Sequence, residues 1–500
     1  MTAEQTEHVR HDPNRPWFDP FDGGLPDLQL EPHELLALLC DTGTIRPLDA
    51  SIEGRPPNGR ATAVPGVTAV TGSVGGRPVV CYAYDRRVVG GSLGSAQADV
   101  IVHALMHATR TGAPVLAFVD SGGARLQEGG AALAAYARVF RATVAASGRV
   151  PQISIVTGVA AGGASYAAAL TDFVVMTRRA SMFLTGPAIV HTACGEAVDT
   201  VELGGARVHE RNGVCHFVVP TDVDATFLAR ELLDYLPQRA GARAPRRPAV
   251  PPPGGEPDAT VPSAPRAVYD IREPIAAIVD GGRMLELAPR WARNVVTGFC
   301  RLDGRSVGVL ANQPRTLGGI LESEGAAKAA RFVRTCEAFG LPLVVFVDTP
   351  GFMPGTNHER RGIIRHGAKL LHAFAQATVP RVTVVLRKAF GGAYISMNAA
   401  GLGADLVLAW SGAQIGVMDP HSAVRILHRR ELDRAEGPDG PLEALAQDYA
   451  DEHLRAEVAA EERLVDVVIP PSETRARLIE GLAVHGERHA GGQIAGNIPL

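Results

Sequence analysis

The chain has 500 residues, is 46% hydrophobic and 20% charged, and carries a formal net charge of −4. That length exceeds what one core usually serves and points to two or three domains, the charge argues against a general nucleic-acid partner, and no apolar run nears the ~18–20 residues of a membrane span. The six cysteines (40, 81, 194, 215, 300, 336) form no CxxC or Cys/His cluster, and the start, Met1-Thr-Ala-Glu-Gln-Thr-Glu-His, lacks the basic and apolar regions of a secretory signal. A globular cytoplasmic protein without structural zinc or other metal is expected.

Residues 1–30 read as an irregular arm with Trp17 and Phe18 as anchors. The patterning then predicts an amphipathic helix at 32–40, strands at 67–74 and 78–84, a helix at 96–109 and a buried strand at 115–119. The turn Ser121-Gly-Gly-Ala-Arg-Leu-Gln-Glu-Gly-Gly130 enters a helix at 131–147, followed by a strand at 153–157, a helix from Gly162 to Leu170 and a strand at 173–177. Pro, Arg, Gly and Ala crowd residues 238–265, which read as a linker or an exposed crossing segment. The second half repeats the order: a strand at 307–311, a helix at 322–339 with Glu324 and Lys328 paired at i,i+4, and a strand at 343–347. A turn Asp348-Thr-Pro-Gly-Phe-Met-Pro-Gly355, a helix at 359–377, a strand at 382–386, the Gly391 helix and strands at 406–410 and 414–418 complete it. Strands alternating with helices predict an α/β fold with right-handed βαβ crossovers.

One phrase occurs twice. A strand ending in Asp120 leads to Gly162-Gly163-Ala164-Ser165-Tyr166, and a strand ending in Asp348 leads to Gly391-Gly392-Ala393-Tyr394, 42 and 43 residues on. Matched spacing argues for two similar domains, each with a glycine pair where a strand meets a helix. Neither pair has a nucleophile–base partner beside it: Ser165 has no Gly-x-Ser-x-Gly elbow, and the phosphate-cradling glycine motifs are absent at strand ends. What remains is two adjacent N–H groups at a helix N-terminus, a place to hold a developing oxyanion.

The chain has three lysines, Lys328, Lys369 and Lys388, against 46 arginines, all three in the second half. Two readings stay open: a coding bias with three survivors, or a need for a compact ammonium at tight anionic contacts.

Several ordered stretches then resemble one family. They are Ser121-Gly-Gly-Ala-Arg-Leu-Gln-Glu-Gly, Ala161-Gly-Gly-Ala-Ser-Tyr, Leu184-Thr-Gly-Pro, Glu202-Leu-Gly-Gly-Ala, Ala311-Asn-Gln-Pro and the run from Lys328 to Phe339. Asp348-Thr-Pro-Gly-Phe-Met-Pro-Gly, Gly362-Ile-Ile-Arg-His-Gly-Ala-Lys-Leu, Arg387-Lys-Ala-Phe-Gly-Gly-Ala-Tyr, His428-Arg-Arg and Gly496-Asn-Ile-Pro-Leu follow. Over most of residues 65–500 the chain resembles the carboxyltransferase (β) subunit of biotin-dependent acyl-CoA carboxylases.

The resemblance implies two tandem crotonase-like (ClpP/crotonase) β/α superhelix domains. It implies an arm with a short helix (1–60), an acyl-CoA-side domain (61–240), a Pro-rich linker (241–265) and a biotin-side domain (266–500). Gly162 and Gly163 would hold the thioester enolate, and Gly392 and Ala393 the biotin ureido oxygen, with a register good to one residue. Gly122, Gly123, Ala124, Arg125, Ala164, Phe390, Tyr394 and Ile395 complete the implied substrate-binding set. The implied reaction moves a carboxyl group from carboxybiotin to the α-carbon of an acyl-CoA, with biotin itself able to take the α-proton. The implied assembly is a trimer of dimers, each site shared across a two-fold. The chain lacks an ATP-binding loop and a biotinylation motif. Biotin carboxylase and biotin carrier would come from a partner subunit.

Three departures stand out. Ile395 occupies a position where the family often has Asp and which lines the acyl pocket, favouring apolar acyl groups. Asp419-Pro-His421-Ser422-Ala-Val-Arg425 replaces a small, Gly-rich segment. It reads either as a local Asp419–Arg425 ion pair or as an unusual substrate or partner contact. The first 60 residues lack the family's Arg-rich opening beyond a faint match at 35–48. Two alternatives remain: a decarboxylase running the same chemistry backwards, and a non-catalytic paralogue completing a hexamer.

Overall fold

A computed structural model of the chain describes residues 29–48, 65–264, 267–434 and 439–485. The Trp17 and Phe18 anchors and the terminal Gly496–Leu500 motif lie outside the described residues.

Two sheets of eight strands dominate. The first holds β1 (Arg46–Pro47), β2 (Val67–Val74), β3 (Arg77–Tyr84), β4 (Val115–Ser121), β5 (Gln152–Ala161), β6 (Phe173–Thr177), β7 (Ser181–Phe183) and β8 (Phe217–Val219). The second holds β9 (Met284–Glu286), β10 (Val295–Leu302), β11 (Arg305–Asn312), β12 (Leu343–Thr349), β13 (Arg381–Phe390), β14 (Leu406–Trp410), β15 (Gln414–Gly416) and β16 (Val467–Ile469). The orders match: β1-β2-β3-β4-β5-β6-β8 with β7 on β5, and β9-β10-β11-β12-β13-β14-β16 with β15 on β13. Antiparallel pairing at one edge gives way to parallel pairing from β3 and β11 onward. The duplication extends to small irregularities, since pairing slips by two residues after Val119 and after Val347.

The parallel strands are buried end to end, as β4 (VLAFVDS) and β12 (LVVFVDT) show, because helices cover both faces of such a sheet. The helices Ser95–Thr111 and Ser323–Ala338 bury Ala-rich faces, which lets them sit close to the strands. One apolar cluster runs through both halves. At their seam Phe299 stands between Phe173 and Phe332, with ring centroids 6.0 and 5.5 Å away. Arg331 donates to the Thr171 and Asp172 carbonyls at 3.2 and 3.3 Å. His216, half-buried there, is held down to about 3 by desolvation and by the nearby Arg331 and Lys328 charges; it is neutral and its Nδ1 accepts from the Val174 N–H.

The structure departs from the sequence reading at four places. The helix expected at 359–377 is two, Thr356–Arg360 and Ile363–Gln376, because Gly362 breaks it at φ +78°. β5 and β13 run past the expected 157 and 386 up to the glycine pairs, since β7 and β15 pair with their distal ends. The Pro-rich stretch is a strapped crossing segment: the Arg247 N–H donates to Gly304 O at 3.0 Å, and Arg387 Nη1 donates to the carbonyls of Pro262, Ala264 and Ala267 at 3.1, 3.1 and 2.9 Å.

The fourth concerns Lys328, which does not pair with Glu324. Its buried Nζ donates to the carbonyls of Ala288, Trp291 and Val295 at 3.0, 2.9 and 2.8 Å. All three ammonium protons are used, on backbone oxygens rather than on an anion, so the compact head is required by a loop. Burial pushes this lysine down to about 7, and the three accepting carbonyls oppose that shift by favouring the charged form. Lys328→Met is expected to cost about 3 kcal/mol of stability, because it strips the ammonium from three loop carbonyls, of which Ala288 O keeps only the Trp291 N–H. Chemical denaturation checks this; an unchanged midpoint would show that the loop satisfies itself otherwise.

Candidate functional site

Each sheet's longest strand ends at a glycine with positive φ, Gly162 at +55° after β5 and Gly391 at +60° after β13. That backbone suits glycine, and it turns an extended strand into a helix within one residue. The helices are Gly163–Ala169 and Gly391–Ser396. Their first N–H groups have no intrahelical acceptor.

At the first corner the expected register moves by one residue. The Gly162 N–H already donates to Phe183 O at 2.9 Å, completing the β5–β7 edge. The N–H groups of Gly163 and Ala164 are the adjacent pair without a backbone acceptor among the described residues. The Ser165 hydroxyl is turned inward, its single proton placed between the carbonyls of Ala160 and Phe183, the latter at 3.0 Å. The Gly122–Arg125 segment lies alongside. A Cβ on Gly123 would come 3.0 Å from Ala161 O, and the Leu93 and Arg125 N–H groups donate to Gly123 O and Leu93 O at 2.8 and 2.9 Å. Ala124 bridges Leu93. The Arg125 side chain is spent on this loop, donating to Ser92 O at 2.9 Å and facing Glu128 at 3.6 Å.

At the second corner the N–H groups of Gly392 and Ala393 are likewise without a backbone acceptor among the described residues. A cavity of about 510 Å³ opens there, lined by Gly391, Gly392, Tyr394 and Ile395 together with Ile415, Val417, Leu454 and Leu464. Tyr394 is pinned by its hydroxyl, which donates to Leu464 O at 2.9 Å. Ile395 is 49% exposed, so its side chain faces open space at the rim. Phe390 does not line the cavity as expected of a substrate contact. It is buried behind the corner with Ala450 and Leu454. Tyr449, His453 and Glu462 also line the cavity, and sequence reasoning missed them. They arrive from a later helix, Asp439–His453, and the turn near 462, and no local motif marks them.

The two aspartates of the repeated phrase lie behind the corners and hold them. Asp348 accepts from Arg387 at 3.1 Å and from the Tyr269 hydroxyl at 2.9 Å. Asp120 accepts from the Val159 N–H and from Gln29, both at 3.1 Å. Burial raises both carboxyls above the usual range against these partners.

The Asp419–Arg425 ion pair does not form. Asp419 instead caps the helix Pro420–Leu427, accepting from the Ser422 N–H at 3.1 Å, because a side chain at the N-cap reaches the first-turn donors. His421 faces Glu443 at 3.1 Å. No described helix is long and apolar enough to cross a membrane.

The Carboxyl transferase domain family matches residues 32–493. The propionyl-CoA carboxylase beta chain of Saccharopolyspora erythraea is 44% identical over 490 residues, covering 93% of this chain and 90% of the relative. The methylmalonyl-CoA decarboxylase subunit alpha of Veillonella parvula is 42% identical over 478 residues, covering 93% and 92%. Among solved structures, the transcarboxylase 12S hexamer with methylmalonyl-CoA bound superposes with a TM-score of 0.87 at 42% identity, covering 92% of this chain and 90% of that one. The fold class is the expected one, two tandem crotonase-like α/β units.

The corners differ in the room behind each second glycine. A Cβ on Gly163 would sit 2.6 Å from the Tyr136 ring, whereas one on Gly392 would meet Phe352 at 3.8 Å. Gly163→Ala is therefore expected to cost about 1–3 kcal/mol through overpacking, and Gly392→Ala to leave stability within about 0.5 kcal/mol. Denaturation curves of the two variants check this; equal losses would contradict the asymmetry.

Proposed function

The chain belongs to the carboxyl transferase family and is a carboxyltransferase, and from that premise we propose that it moves a carboxyl group from carboxybiotin to the α-carbon of an acyl-CoA. The observation that carries this reading is the duplicated helix N-terminus, two open N–H pairs in one chain and no nucleophile–base pair at either. Gly163 and Ala164 would hold the thioester oxygen as charge develops on it, Gly392 and Ala393 the ureido oxygen. Each aligned donor is worth roughly 3–4 kcal/mol in such a role. Biotin supplies the carboxyl group and a ring nitrogen that carries it. The residues at the second corner fit that ring, with two donors for a carbonyl-type oxygen and apolar walls from Ile395, Ile415, Val417 and Leu454.

On this reading residues 61–240 form the acyl-CoA side and residues 266–500 the biotin side, with 241–265 crossing between them. Biotin comes on a separate biotin carboxylase/carrier subunit. A hexamer built as a trimer of dimers is supported by the apolar side chains left exposed on both halves: Leu126, Leu133 and Leu184 on the first, Ile364, Val417 and Ile426 on the second. The cytoplasm is the proposed location. A decarboxylase would use the same corners in reverse, a reading favoured by the Veillonella relative's name. A non-catalytic copy rests only on the atypical segment from Asp419 to Arg425, of which Asp419 is accounted for by its capping role.

The test is to combine the chain with a biotin-loaded carboxylase/carrier subunit, ATP, bicarbonate and a panel of acyl-CoAs, and to weigh the products. A 2-carboxyacyl-CoA is expected; none with any acyl-CoA would contradict transfer in this direction. Gly392→Val is expected to lower that transfer about 100-fold or more while acyl-CoA affinity stays within about twofold. Loss of CoA binding with biotin steps intact would reverse the halves. With each site shared across the two-fold, Ile395 at the rim of the second corner would also face the acyl group held at the partner subunit's first corner, so Ile395→Asp is expected to shift the kcat/KM ratio between short and longer acyl chains about tenfold, and an unchanged profile would remove Ile395 from the acyl pocket.

A further inference from the structure

The two corners are alike in backbone and unlike in one wall. In the first half an antiparallel bridge joins Ser181, the start of β7, to Gly205; in the second the matching bridge joins Gln414, the start of β15, to Arg455. Counting back equally from each bridge sets Leu203 and Asp199 against His453 and Tyr449. At these counted positions the second half has two rings, whereas the first has Leu203 and Asp199, and Asp199 is turned to capping its own short helix. Tyr449 and His453 are one helical turn apart. Their centroids lie 4.8 Å apart with planes tilted by 56°, and both line the cavity at Gly391 and Gly392.

The wall is held firmly. The Ile415 N–H donates to Leu454 O at 2.8 Å, directly after His453. The Leu454 side chain fills the space beside Gly416, where a Cβ would meet it at 2.2 Å. Tyr449 packs against two small apolar clusters, one containing Phe390 and one containing Val424. Tyr449 is therefore fixed relative to the strand end that presents the Gly392 and Ala393 donors, and the half-exposed His453 ring rests against it with Glu452 at 3.8 Å.

We propose that Tyr449 and His453 form a ring-reading wall that selects and holds the bicyclic ring of biotin at the second corner, and so give two corners of equal backbone different ligands. This rests on the reading above that the second corner takes biotin. The planar ureido group of biotin, its oxygen held at one edge by the corner donors, offers a face to the wall, and the large rings of Tyr449 and His453 can bury that face together with the adjoining apolar ring.

The experiment uses the assembled full chain and free biotin, read two ways: direct titration by calorimetry or ligand-observed NMR without turnover, and steady-state carboxyl transfer from methylmalonyl-CoA to free biotin. Tyr449→Ala and His453→Ala are each expected to weaken biotin about tenfold in the titration and to raise its KM equally, with the KM of the CoA thioester within about twofold. Tyr449→Phe and His453→Phe keep a ring and are expected to restore biotin affinity to within about twofold. If either alanine variant misfolds, His453→Leu, which copies the first corner, serves instead and is expected to bind biotin weakly. Biotin bound by the parent and as tightly by the ring-less variants overturns the wall alone. A parent that neither binds nor carboxylates biotin overturns the assignment of the second corner and the wall with it.

Discussion

A single glycine at φ near +60°, placed where the longest strand of each sheet meets a short helix, is the constraint on which the rest depends. Gly162 and Gly391 turn the chain within one residue, so the next two peptide N–H groups stand at a helix start. Backbone donors of this kind need no side-chain ordering, and their partial positive charge adds to the helix dipole. The strand behind each corner is buried and paired on both sides, which keeps the donors in place.

Most buried polar groups are committed elsewhere. Lys328 spends all three protons on one loop, Arg387 ties the crossing segment to Asp348, and Ser165 closes on its own strand ends. Buried polar groups left unpaired are costly, so this pattern draws attention to what stays open. At both corners the open groups are main-chain donors, which suits a reaction whose difficulty is charge on oxygen.

Much of this was legible in the sequence because it is local. The strand–Asp phrase and its spacing to Gly-Gly are repeated in the residues themselves, and buried parallel strands such as Val115–Ser121 read as unbroken apolar runs. The missed features are tertiary. The ends of β5 and β13 read as loop because Gly158-Val-Ala-Ala161 and Arg387-Lys-Ala-Phe390 become strand only by pairing with later residues. The one-residue shift at the first corner comes from a carbonyl 21 residues downstream, Phe183. Glu324 and Lys328 have ideal spacing for a surface pair, yet Lys328 is pulled inward by carbonyls 33 to 40 residues earlier. Tyr449 and His453 carry no motif; the bridge at Gln414 and the Ile415–Leu454 bond set them beside Gly391.

The central claim is that the first corner's donors are Gly163 and Ala164 and that they hold a thioester oxygen. A crystal structure with a stable acyl-CoA enolate analogue tests it most directly. The account predicts the analogue's oxygen about 3 Å from both of those nitrogens, with Gly162 still bonded to Phe183. An oxygen bound instead at Gly392 and Ala393, or a first corner that the analogue leaves untouched, would contradict it.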